Sequence, residues 1–140
     1  MKKALSVALA FLAFAARAQA ERPPQSRDDA KLVVSGTVKA ITTKDSAFGG
    51  DGVRTDYTAE VVVDSVDRGE KVKAGDTITL TWFHVTKKPT GFIVGAFGHG
   101  YALKEKDKAK FWLMDRGPGT PKGVWVVIYN RNGVDKMPGR

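Results

Sequence analysis

The 140-residue sequence predicts an all-β fold, a small barrel or sandwich of five main strands. Three observations carry that prediction. Short stretches rich in Val, Ile, Thr and aromatics recur along the chain, several with apolar and polar residues alternating at period two. Most of the 15 Gly and 6 Pro fall in clusters between those stretches, where turns are needed. Beyond residue 20, no window sustains the 3.6-residue apolar period of an amphipathic helix. With 42% hydrophobic and 27% charged residues, the chain has the composition of one folded domain rather than a disordered tail.

Residues 1–20 read as a cleavable export signal. Lys2 and Lys3 precede an apolar run of about a dozen residues, ALSVALAFLAFAA, and Ala18-Gln19-Ala20 is a small-x-small cleavage site. The run is shorter than the roughly 20 residues that span a bilayer as a helix. The mature chain is expected to begin at Glu21, exported to the periplasm or the extracellular space. Residues 21–30, with two prolines among polar side chains, read as a flexible leader. Residues 31–134 form the single domain, and residues 135–140 a loose tail.

Within the domain, Leu32–Ile41 is the first strand, and Gly36 is placed for a bulge. Thr42–Asp56 reads as a Gly/Asp-rich connection, and Tyr57–Val66 as the second strand. Thr77–Val85 has the clearest alternation. Ile78, Leu80, Trp82 and His84 share one face, and Thr77, Thr79, Thr81 and Phe83 the other. Lys87–Gly100 is a Gly-rich loop with room for a short strand at Phe92–Val94. Ala109–Met114 and Val124–Tyr129 complete the set, separated by the turn sequence RGPGTPKG.

The order VVSGTV, YTAEVVVDSVDRGE, GDTITLTW, HGYALKEKDKAKFWLM and WVVIYNRNG resembles the netrin-like domains related to tissue inhibitors of metalloproteinases, in their bacterial secreted form. The resemblance spans most of Leu32–Asn132. It implies a five-stranded OB-like β-barrel with Gly-rich loops and an extracytoplasmic interaction role. The family often carries a cysteine near the position of His99-Gly100-Tyr101, and its inhibitors chelate metal through an N-terminal cysteine. This chain has no cysteine at all. The resemblance therefore implies the fold without protease inhibition, and the same absence excludes disulfides, thiolate metal sites and a cysteine nucleophile.

Few residues suggest chemistry. There is no nucleophile elbow, no HExxH and no triad around an assignable histidine, so the chain is read as non-enzymatic. The two histidines, His84 and His99, could hold copper or zinc together with Met114, Met137 or a carboxylate, although a spacing of fifteen residues matches no local metal motif. Asp45, Asp51 and Asp56 could surround calcium, but they also suit side-chain-capped turns. Gly91, Gly95, Gly98 and Gly100 could offer backbone amides to an anion, without the sequence of a nucleotide loop. If extended, Lys104, Lys106, Lys108 and Lys110 would form a basic stripe.

The formal net charge of +8 suggests a polyanion-binding barrel as an alternative. Residues 1–20 carry Lys2, Lys3 and Arg17 and no acid, so cleavage lowers the charge to +5. Export also argues against nucleic acid as the partner. The leading expectation is a binding module for a protein or glycan without a cofactor. Its candidate surface is Trp82, Phe83, His84, Lys87, Lys88, Phe92, Phe97, His99 and Tyr101, because loops over a strand end carry recognition more often than walls do.

Overall fold

A computed structural model describes residues 23–91 and 95–138. The export signal and the strand expected at Phe92–Val94 lie outside the described residues. Six strands form among the described residues: β1 (Leu32–Phe48), β2 (Gly52–Arg68), β3 (Thr77–Lys87), β4 (Lys108–Met114), β5 (Val124–Val127) and β6 (Val134–Lys136). Two short 3-10 turns, Arg27–Asp29 and Asn130–Gly133, are the only helical elements among the described residues. The fold is all-β, and among the described residues no helix is long and apolar enough to cross a membrane.

The sheet closes into a ring. β1 pairs β2, β2 pairs β3, β3 pairs β5, β5 pairs β4, and β4 returns to β1. Every contact is antiparallel except β3–β5, where Thr79, Leu80 and Thr81 face Val124, Trp125 and Val126 in parallel. β1 covers β4 from Lys108 to Leu113 along one edge. The other edge of β4 is therefore shared, by β6 at Ala109–Phe111 and by β5 at Leu113–Met114.

Alternation fills the inside of the ring. Leu32, Val34, Val61, Val63, Ile78, Leu80, Phe111, Leu113 and Trp125 belong to one buried cluster. Fully burying side chains of this kind contributes roughly 1.5–3 kcal/mol each. A smaller cluster sits outside the ring, where Ala30, Val33, Trp112 and Ile128 pack together with Met114 against them. At Gly36 the register of β1 against β2 shifts, as the sequence suggested. A Cβ there would meet Val61 Cγ1 and stand 2.7 Å from the Val62 carbonyl oxygen, so only glycine lets the two strands approach.

Several boundaries differ from expectation. The polar stretch Thr42–Asp56 is not an irregular connection. It is the outer half of the β1–β2 hairpin, paired from Thr42↔Thr58 to Phe48↔Gly52. It escaped a periodicity test because Thr42–Ala47 is exposed on both faces, leaving no apolar side to alternate. The expected loose tail begins inside β6, whose Asp135 faces Lys110 of β4. The expected flexible leader is held from Gln25 onward. Its Gln25 side chain accepts from the Tyr129 amide at 2.8 Å, and Arg27 bonds Asn132 and Asp135 and stacks 3.7 Å over Trp112.

Candidate functional site

β3 positions the site. β2 occupies one of its edges from Thr77 to Lys87, so every other partner must use the opposite edge. β5 takes Thr79–Thr81 of that edge. Further along, Phe97–Tyr101 lies across β3 as a strap. The Val85 amide donates to the Phe97 carbonyl at 2.7 Å, and the His99 amide donates to the Phe83 carbonyl at 3.1 Å. Gly98 makes this contact possible, since its φ of +66° is left-handed and a Cβ would collide with the Phe83 carbonyl oxygen.

Between the end of β5 and the strap lies a cavity of about 290 Å³. Its floor is the outer face of the ring, where Phe83, Val126, Ile128 and Met114 contribute apolar surface. Around it stand Gln25, Trp82, His99, Tyr101, Asp115, Arg116 and Tyr129. Phe83 is covered on one side by the Arg54 guanidinium, 4.0 Å from the ring centre, and its centroid is 6.3 Å from that of Tyr129. Arg54 is itself balanced by Asp56 at 2.9 Å. A second depression of about 900 Å³ runs between the β2–β3 turn and residues 117–123, rimmed by Lys71, Asp76 and Lys122.

The predicted surface residues divide into two groups. Trp82, Phe83, His99 and Tyr101 meet at the cavity. Trp82 is mostly a core residue, stacked on Tyr57 at 5.1 Å, and its indole N–H is buried with no hydrogen-bond partner among the described residues. The Tyr101 hydroxyl donates to the Ile128 carbonyl at 3.3 Å, and burial pushes its ionisation well above the ordinary phenol range. Phe97, Lys87 and Lys88 belong to the other side of the strap. Phe97 meets Phe48 edge-on at 6.1 Å, and Lys88 Nζ is 5.4 Å from the centre of the Phe97 ring. Phe92 lies outside the described residues.

The two histidines come together, with ring centres 6.4 Å apart and His99 a further 5.1 Å from the Tyr101 ring. Glycine at position 100 leaves space for the His84 ring, since a Cβ there would stand 3.0 Å from His84 Nδ1. Desolvation lowers the pKa of His99 below its ordinary 6.5, and the charges of Arg131 and His84 push the same way. Copper or zinc would need further ligands beside the pair. Among the described residues no group of three His, Cys, Asp or Glu side chains could hold a metal ion.

The remaining constellations disperse. Asp45 accepts from Thr55 Oγ1, Asp56 pairs with Arg54, and Asp51 accepts from the amide and hydroxyl of Thr90, so the three carboxylates do not surround one point. The lysine stripe does not form. Lys104 and Lys106 fall in a turn with Lys106 at φ +72°, and only Lys108 and Lys110 reach β4. Gln25, Asp115, Arg116 and Tyr129 were missed by sequence reasoning. Each is unremarkable in its own segment, and only the ring order brings the four together. No protein-family model, curated protein or solved structure matches the chain.

Proposed function

We propose that this chain is an exported, non-enzymatic binding module, an OB-like barrel that takes its ligand in the cavity between β5 and the strap. The netrin-like resemblance is kept as the family reading of that barrel, again without protease inhibition. The ring order β1-β2-β3-β5-β4-β1, with its single parallel contact at β3–β5, supports the OB-type reading. Export rests on the signal pattern of residues 1–20.

One observation carries the functional reading: a cavity with an apolar aromatic floor and a polar rim opens where a loop crosses a strand end. Its volume is near the lower end of small-molecule sites, roughly 300 Å³, and its polar groups are few enough to orient a ligand. A ligand-observed NMR screen of aromatic fragments, short peptides and short glycans tests it, with Phe83→Ala beside the native protein. Binders that lose affinity in Phe83→Ala support the reading. A screen whose binders all ignore that substitution contradicts it. Export is tested separately by the N-terminus of protein recovered outside the cytoplasm, expected at Glu21.

A further inference from the structure

Two charged side chains line the cavity, Arg116 and Asp115. Arg54 has its carboxylate partner in Asp56. Arg116 has none among the described residues. It is exposed, and its guanidinium donates to Thr81 Oγ1 at 3.4 Å, which holds it over the outer face of β3 two residues from Phe83. Arg131, in the turn that follows Tyr129, is likewise exposed and without a carboxylate partner among the described residues. It lies near enough to His99 for its charge to disfavour protonation of the imidazole. Of the two charged side chains that line the cavity itself, Arg116 is held over the floor by Thr81, whereas Asp115 has no hydrogen bond or ion pair among the described residues to hold it there.

We infer that the cavity binds a small carboxylate carried on a flat ring, with the ring against Phe83 and Tyr129 and the carboxylate on Arg116, aided by Arg131. Guanidinium suits the anion because its planar fork matches both carboxylate oxygens, and a partly desolvated site strengthens the pair. The ring suits the floor because aromatic faces bury flat apolar surface with little loss of side-chain freedom. The inference rests on the cavity being a ligand site and adds the chemical class of the ligand.

The test uses two probes of the same shape, naphthalene-2-carboxylate and its neutral carboxamide, titrated by protein-observed NMR into the native protein, Arg116→Gln and Arg131→Gln. The carboxylate is expected to bind about tenfold or more tighter than the amide. Arg116→Gln should erase most of that preference by weakening the carboxylate more than the amide, and Arg131→Gln should reduce it less. Equal or tighter binding of the amide by the native protein overturns the carboxylate inference and leaves the cavity reading standing. A preference that survives Arg116→Gln also overturns it. If neither probe shifts any amide around the cavity, the inference falls, and the cavity reading stands or falls separately on the fragment screen with Phe83→Ala.

Discussion

Two segments share one edge of β3, and they are held there by different physics. β5 is held by burial: Trp125 and Val127 point into the core, and Ile128 just beyond joins the outer cluster. The strap is held by two backbone hydrogen bonds, by a glycine that no other residue replaces without a collision, and by partly buried rings, with the Tyr101 hydroxyl on the Ile128 carbonyl. Its rings, Phe97, His99 and Tyr101, are all partly exposed. A net hydrogen bond contributes about 1 kcal/mol, less than one large buried side chain. The segment that seals the ring is thus the stable one, and the segment that roofs the cavity is the one able to open. Low local stability is what a binding loop requires.

The comparison can be broken most forcefully at β5. Trp125→Ala should destabilise the whole fold by about 3–5 kcal/mol, read from the midpoint of denaturant unfolding. A loss under about 1 kcal/mol would mean that β5 is not integral to the core. Gly98→Ala should cost less, about 1–2 kcal/mol from the left-handed backbone alone, and should act locally. Hydrogen exchange at the Val85 and His99 amides should accelerate while exchange at Thr79 and the β5 amides holds. Uniform acceleration across both segments would show that strap and β5 form one cooperative unit.

Acid should separate the segments further. The His99 pKa lies below its ordinary 6.5, so the unfolded chain binds more protons than the folded one in the window beneath that value. The stabilising contribution is complete above 6.5 and is lost as pH falls toward the depressed pKa. Amide exchange in the strap should therefore rise relative to β5 below pH 6.5, and His99→Gln should flatten that dependence. The smallest effect belongs to the far end of the strap loop, where Asp51 binds Thr90 and its carboxyl is held below its ordinary pKa. Asp51→Asn should slightly lower the melting temperature at neutral pH. The difference should vanish in acid, as the native carboxylate protonates below its ordinary 3.8.

The same contrast explains what could be read in the sequence. Strands that bury one face announce themselves: Ile78, Leu80 and Trp82 alternate because the core demands it, and β3 was placed almost to its ends. The outer hairpin carries no such demand, so Thr42–Ala47 looked like a connection although its backbone is fully paired. β6 is three residues long with only Val134 buried, too short for alternation to register. Four of the candidate surface residues reached the cavity because they sit on β3 or on the Gly-rich segment that crosses it. Gln25 and Arg116 were invisible because their role depends on the leader and the β4–β5 turn folding to the same place.

The most direct test of the account is where a bound ligand is felt. Amide chemical shifts mapped during titration with naphthalene-2-carboxylate should change together at Phe83, His99–Tyr101, Met114–Arg116 and Val126–Tyr129. Shifts confined to the groove around Lys71 and Lys122, or scattered among lysine-bearing turns, would contradict the assignment of the cavity beneath the strap as the binding site.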